Sequence, residues 1–154
     1  MAKAYPSLNG DPCASNFERQ VIDDLIQRGV PYGYECRVGE AKKFRLVYET
    51  PVNRGKCNVC GAGRPEVVQQ RSYTPDIHLA NGIIVEAKGK FIASKRELMR
   101  NVVKCHPQVD LRFVFMRDNW LVARTKKRRY SDWARALGVK FVIGTSIPQE
   151  WVDA

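Results

Sequence analysis

Tyr73-Thr74-Pro75-Asp76-Ile77-His78-Leu79-Ala80-Asn81-Gly82-Ile83-Ile84-Val85-Glu86-Ala87-Lys88 reads as two apolar runs on either side of an Asn-Gly pair. Asn-Gly in that setting is a strong local signal for a β-hairpin, because both residues tolerate the left-handed backbone of a tight turn. The length of the turn decides which side chains meet. Residues two apart on a strand share a face, so Glu86 and Lys88 project together. A two-residue turn at Asn81-Gly82 would pair Asp76 with Ala87 and send the aspartate to the other face. A three-residue loop, Ala80-Asn81-Gly82 with Gly82 left-handed in a G1 bulge, sets Asp76 opposite Glu86. The expected form is that loop, or a compensating bulge near Pro75.

The reason to want Asp76 and Glu86 on one face is chemical. Two carboxylates at cross-strand distance repel unless a cation lies between them, and Mg²⁺ favours such oxygen ligands together with water and phosphate. A lysine beside them can polarise an attacking water or offset charge on a phosphoryl group. Pro-Asp, nine intervening residues and Glu-x-Lys resemble the signature of metal-dependent nucleases with a restriction-endonuclease-like fold. The plainer alternative is a surface hairpin whose Glu86 and Lys88 are simply solvated.

Charge supports the first reading. Lys and Arg total 26 against 16 Asp and Glu, a formal net charge of +10. Between residues 88 and 135 there are 14 basic and 4 acidic residues, and the rest of the chain balances. An excess held by one third of the chain reads as a face for a polyanion, nucleic acid being the commonest, whereas the bland alternative is a solvated face that aids solubility. Lys90, Lys95, Arg96, Arg100 and Lys104 form one group of candidate phosphate contacts, and Arg124, Lys126, Lys127, Arg128 and Arg129 form another. Such contacts position a duplex without reading its bases.

Other classes are excluded. The first ten residues contain no apolar stretch of the roughly 7 to 15 residues that a secretory signal needs. The longest apolar runs, such as residues 113–116, fall short of the roughly 18 residues of a membrane span. The expectation is a soluble intracellular protein with no membrane partner. Five cysteines, an odd number without an export signal, argue for reduced thiols or a metal site over a disulfide framework.

Periodicity supplies the frame. With 154 residues, 44% of them hydrophobic, the chain fits one domain. A flexible arm is expected at 1–14 and one domain at 15–152, carrying a bridge or insertion at about 50–70, where Pro51, Gly55, Gly61, Gly63 and Pro65 break the pattern. Phe17, Val21, Ile22 and Leu25 recur at helical spacing up to Gly29, with Ser15 as N-cap. Strands are expected at 32–38 and 44–48. After the hairpin, Leu98, Met99 and Val102 mark a helix from Ser94, with Glu97 at the capping-box position and Pro107 beyond its end. Strands at 111–116 and 120–123, a helix at 131–137 closed by Gly138, and a strand at 139–143 complete the order. The irregular alternation implies an α/β fold with a mixed central sheet flanked by helices. Tyr130, Trp133 and Leu137 fit a small helical core better than base stacking.

Ser15-Asn16-Phe17-Glu18, Tyr73-Thr74-Pro75-Asp76, the run from Asn81 to Gly89, His106-Pro107-Gln108-Val109-Asp110-Leu111-Arg112 and Ile147-Pro148-Gln149-Glu150-Trp151 occur in this order. Together, over residues 15–38 and 71–152, they resemble the phage endonuclease I family, the Holliday junction resolvases of bacteriophages. The resemblance implies a restriction-endonuclease-like fold, a domain-swapped homodimer, a bacterial cytoplasm as the place of action, and hydrolysis of four-way and other branched double-stranded DNA. It implies two metal ions per site, Mg²⁺ or Mn²⁺. Asp76 would bridge them, Glu86 and the carbonyl of Ala87 would hold one, Glu18 would help hold the other, and Lys88 would assist at the scissile phosphate. In a swapped dimer Glu18 comes from one chain and the other three from its partner, so a monomer would lack a complete site, with residues 50–70 as the crossover. The alternatives are a nuclease of the same fold acting on mismatched, nicked or linear duplex, and a non-catalytic DNA-binding protein with a zinc-stabilised bridge. On its own residues, Ser15-x-x-Glu18 is equally a capping box.

Cys57-Asn58-Val59-Cys60-Gly61 departs from the family pattern. Cys-x-x-Cys-Gly aims two thiolates at one ion, and a structural zinc needs four ligands. Cys36 would be a third, or the knuckles of two chains would combine; the alternatives are free thiols or a redox pair. Cys13 and Cys105 read as ordinary residues, Cys105 near the buried side of its helix. His78, on the face of Asp76, reads as a packed histidine and His106 as a helix-terminal donor.

Overall fold

The computed structural model describes residues 5–35, 45–52, 55–63 and 65–154, and the backbone at 37–38 and 42–43. In chain order the elements are β1 (Tyr5–Pro6), β2 (Pro12–Cys13), α1 (Asn16–Gln27), β3 (Tyr32–Tyr34), β4 (Arg37–Val38), β5 (Lys42–Lys43), β6 (Leu46–Val52), β7 (Val67–Tyr73), β8 (Ile77–Leu79), β9 (Ile84–Lys88), α2 (Ala93–Cys105), β10 (Leu111–Phe115), α3 (Tyr130–Leu137), β11 (Lys140–Ile143) and α4 (Gln149–Val152). The central sheet has the order β11-β10-β9-β8-β3. β11, β10 and β9 run parallel, and β8 and β3 are antiparallel to their neighbours. This is the mixed sheet that the element order implies.

β9 and β10 lie inside the sheet and are covered on both faces, which explains their nearly continuous apolar runs. On one face, Phe17, Val21, Ile22 and Leu25 of α1 pack on Ile77, Leu79, Val85, Ala87 and Val114, joined by Ile147 and Trp151. On the other, Ile84, Leu111, Phe113 and Phe115 lie beneath Met99 and Val102 of α2 and Tyr130, Trp133 and Ala134 of α3. Phe91 anchors this second layer, its ring centroid 4.7 Å from that of Trp133 and 5.6 Å from that of Phe115. Its backbone N–H donates to the buried Tyr130 hydroxyl at 3.0 Å, so the phenol adds its area without an unsatisfied polar group. Each such fully buried aromatic contributes about 1.5 to 3 kcal/mol relative to exposure. The aromatic helix at 131–137 is thus core, one residue longer at its start, and Gly138 closes it with φ +75°.

Five local expectations are corrected. Residues 5–13 are no loose arm: Tyr5 pairs with Cys13, Gly10 turns the chain at φ +84°, and the Leu8 N–H donates to the buried Asp23 carboxylate at 2.8 Å. Residues 50–52 and 67–70 are not irregular loop, because β6 and β7 pair antiparallel over seven residues each. β7 is exposed along nearly its whole length and so lacks the alternation that betrays a strand, whereas β6 alternates from Leu46 to Glu49, and Pro51 sits where an edge can spare its donor. α2 starts at Ala93, with Ile92 as N-cap and no side-chain cap bond. Packing of Phe91 sets that start, and Glu97 pairs with Arg100 instead of closing a box. Residues 120–123 form no strand; Trp120 makes a single bridge to Arg129, whose guanidinium lies 4.2 Å above its ring. Cys105, the last residue of α2, is exposed, and its sulfur accepts the Glu49 N–H at 3.5 Å.

Candidate active site

The hairpin closes through the three-residue loop. Leu79 N–H donates to Ile83 O at 2.9 Å and Gly82 has φ +87°. Asn81 accepts the Ile83 N–H through its side-chain oxygen and donates through its amide to Trp151 O at 2.9 Å, binding the loop to α4. Ile77 pairs with Val85 and His78 with Ile84, so Asp76 stands opposite Glu86. β3 fixes the backbone from the other side, because Glu35 N–H donates to Asp76 O at 2.8 Å.

Around that register the side chains interlock. Asp76 N–H donates to Glu86 Oε1 at 3.0 Å, and Ala87 N–H donates to Asp76 Oδ2 at 3.2 Å. Lys88 Nζ lies 2.8 Å from Asp76 Oδ2 and 2.5 Å from Glu86 Oε2. Glu86 is 0% exposed in the middle of a central strand, where an unpaired carboxylate would be very costly. Burial alone would push the Lys88 ammonium toward deprotonation, but Asp76 and then Glu86 outweigh it and hold the lysine pKa well above its usual range. Lys88 is therefore a fixed cation.

Glu18 arrives from the first turn of α1. Ser15 Oγ caps the helix by accepting the Glu18 N–H at 3.1 Å, and Glu18 Oε2 accepts the Ala14 N–H at 3.1 Å. The capping role therefore exists, and the same carboxyl lines a cleft of about 370 Å³ with Asp76, Lys88, Lys90 and Lys95. Burial, then Asp76, raises the Glu18 pKa, opposed by Lys88. Glu18, Asp76, Glu86 and Lys88 all come together within one polypeptide. In this chain α1 packs beside the hairpin, so that Glu18 lines one cleft with Asp76 and Lys88.

Tyr34 is the residue that the sequence did not single out. Its hydroxyl donates to Glu18 Oε2 at 3.2 Å and accepts the Ala14 N–H at 3.2 Å. Burial, then Glu18, raises its pKa, so the phenol stays a donor and orients the glutamate. Its only trace in the sequence is an aromatic residue on a short strand, because the contact depends on the β3–β8 register of Tyr34 with Ile77.

The remaining candidates divide. Lys90 and Lys95 face the cleft. Arg96 donates to Phe91 O, Arg100 pairs with Glu97, and Lys104 is exposed in the last turn of α2. Arg124, Lys126, Lys127 and Arg128 are exposed on the loop that follows β10, and Arg129 belongs to the base of that loop. The loop springs from the Lys88 end of β9, since Phe115 is in register with Lys88 and Met116 N–H donates to Lys88 O at 3.3 Å. His78 lines a separate hollow with Asn81 and Asp110, and burial lowers its pKa. The His106 ring contacts Val47 O at 2.6 Å. Cys57 and Cys60 share the tip of the β6–β7 ribbon, and Cys36 lies outside the described residues.

Residues 64–154, more than half of the chain, match the sequence profile of a family described as phage endonuclease I. The chain belongs to the phage endonuclease I family. It is 26% identical over 138 residues to a protein named endonuclease I from Escherichia phage T7, covering 90% of this chain and 76% of that protein. It is also 26% identical over 143 residues to endodeoxyribonuclease 1 from Enterobacteria phage T3, covering 92% of this chain and 79% of that protein. The stretch matched to phage endonuclease I contains Asp76, Glu86 and Lys88; Glu18 precedes it. No described helix is long and apolar enough to cross a membrane.

Proposed function

We propose that this chain is a Mg²⁺- or Mn²⁺-dependent endodeoxyribonuclease that resolves four-way and other branched DNA junctions in the cytoplasm of a phage-infected bacterium. The observation that carries the reading is Asp76 opposite Glu86 with Lys88 between them and Glu18 on the cleft wall. Kinship to proteins named as endonucleases supports DNA hydrolysis.

The donor set fits a hard divalent ion. Two carboxylates contact the Lys88 ammonium and a third lines the same cleft, and all offer oxygen, as Mg²⁺ requires. Among the described residues no three acidic, histidine or cysteine side chains gather closely enough to hold an ion alone. That suits Mg²⁺, which commonly takes one or two carboxylates and completes its shell with water and substrate phosphate. Asp76, Glu86 and the Ala87 carbonyl would hold one ion, and Glu18 would help with a second. The bound ions would supply Lewis-acid activation of the phosphodiester and a nucleophilic hydroxide at neutral pH.

The side chains of this chain do the rest. Lys88, permanently charged, offsets negative charge at the scissile phosphate. Glu18, oriented by Tyr34 and Ala14, positions water, and its raised pKa favours proton uptake. Lys90 and Lys95 receive the flanking phosphates, and the loop bearing Arg124, Lys126, Lys127 and Arg128 holds more distant backbone. Because these contacts are to phosphate, the grip is independent of sequence and suited to a substrate known by its shape. The homodimer belongs to this proposal: exchange of α1 between copies would rebuild the same contacts between chains.

The test incubates wild type and Glu86→Ala with a four-way junction and a matched linear duplex, in Mg²⁺ for cleavage and in Ca²⁺ for binding. Symmetric cleavage of the junction alone, lost in Glu86→Ala while binding persists, is the expected result. Equal cleavage of both substrates would remove the junction claim, and binding without cleavage by wild type would remove the nuclease.

A further inference from the structure

The β6–β7 ribbon keeps its register beyond the ends of its strands. Val52 faces Val67, Lys56 bridges to Gly63, and the Cys57 N–H donates to Ala62 O at 2.7 Å. Residues 58–61 close the tip, where Gly61 N–H donates to Cys57 O at 2.9 Å and Gly61 has φ +69°. Cys57 thus ends the ladder and Cys60 ends the turn, with a left-handed glycine directly after the second thiol. That combination, two cysteines three apart on a tight glycine-closed turn, is the ligand spacing of structural zinc sites.

A redox role fits this placement poorly. Reactive Cys-x-x-Cys pairs rely on a helix N-terminus or a neighbouring cation to stabilise a thiolate, usually within a βαβ unit. Here the turn leads into an antiparallel strand. Structural zinc takes four ligands. Among the described residues no group of three or more metal-binding side chains includes the pair. On one face of the same ribbon Val47 and Val68 are exposed, and Val59 at the tip is 96% exposed, apolar surface that a second ribbon would cover.

We propose that Cys57 and Cys60 are half of a structural zinc site, completed by the same two cysteines of a second copy. An isologous pairing about a two-fold axis brings two identical tips to one ion as a four-thiolate site. The ribbon carries no residue assigned to hydrolysis, so this inference stands apart from the nuclease reading.

The experiment measures metal rather than cleavage. Protein purified without chelator should contain about 0.5 zinc per chain, the ratio of one four-cysteine site shared by two copies. Cobalt titrated into zinc-free protein should saturate at the same ratio, with the intense visible bands of a tetrahedral tetrathiolate ion. Cys57→Ser and Cys60→Ser should lose both signals, while Cys105→Ser keeps them. One metal per chain, a spectrum with fewer than four thiolates, a requirement for Cys36, or folded wild type that takes up no metal would each overturn the proposal.

Discussion

Lys88→Met isolates the electrostatics of the site. The substitution keeps the length of the side chain and removes the ammonium that lies 2.8 Å from Asp76 and 2.5 Å from Glu86. Without it, a fully buried carboxylate faces a second carboxylate across the hairpin. Removing one partner of a buried ion pair costs about 3 to 5 kcal/mol. The Lys88 and Asp76 side chains retain 16% and 18% exposure, which places the expected loss near the low end, about 3 kcal/mol. For a chain of this size that lowers Tm by about 6 to 12 °C. Divalent ions should reverse much of it. At a hundred times Kd an ion adds about 2.7 kcal/mol of stability, and in the variant it meets no competing ammonium. The assay is thermal unfolding of wild type and variant in chelator and over a Mg²⁺ series. The variant should melt well below wild type in chelator and gain more from Mg²⁺. Glu86→Gln/Lys88→Met, which removes one charge of each sign, should recover part of the loss in chelator. A variant that melts with wild type in chelator, or equal gains from Mg²⁺ in both proteins, would refute the reasoning.

Three further outcomes follow from particular contacts. Glu18 has a raised pKa in the folded state, so its ionisation removes stability as pH climbs from the ordinary glutamate range through the folded value. In chelator, Glu18→Gln should melt above wild type at about pH 8 and converge with it near about pH 4, while junction cleavage falls; unfolding curves against pH read the first and a cleavage assay the second. Gly82→Ala places a Cβ in open space at φ +87°, so only backbone strain of about 1 to 2 kcal/mol is lost. Tm should drop by about 2 to 8 °C, and less for Gly82→Asn; an unchanged melting curve would contradict the left-handed loop. Replacing Lys126, Lys127 and Arg128 together by alanine should flatten the salt dependence of DNA affinity by a log–log slope of about 2 to 3. Single-turnover cleavage at saturating protein should stay unchanged, and a defect confined to that rate would refute the assignment.

The hairpin register was legible because it depends on local rules. Period-two alternation and the demand that Asp76 reach Glu86 select a three-residue loop, and the left-handed Gly82 meets that demand. α1 was equally plain, since its apolar stripe and Ser15 cap are local. Packing decided what stayed hidden. The start of α2 follows from the burial of Phe91 rather than from its capping residues. β7 has solvent along nearly its whole length, so no hydrophobic period marks it. Residues 5–13 read as loose, yet Asp23, one turn from the end of α1, holds Leu8 through a bond that no spacing announces. Tyr34 needed the β3–β8 pairing before its contact with Glu18 existed. The motifs pointed to the right family, and the contact of Tyr34 with Glu18 is what the structure adds.

The loop after β10 is pinned at its base independently of what it carries. Leu121 N–H donates to Arg128 O at 2.7 Å, Tyr130 N–H donates to Asn119 O at 3.0 Å, and Asp118 accepts from both the Ser131 N–H and its hydroxyl. With the two stems fastened, residues 122–127 behave as an exchangeable cassette. Closing a longer flexible segment on fixed ends costs only about 0.6 kcal/mol for each doubling of length. Grafts that differ in length or in the number of cations should therefore alter the grip on DNA while the hairpin, thirty residues earlier in the chain, keeps its register.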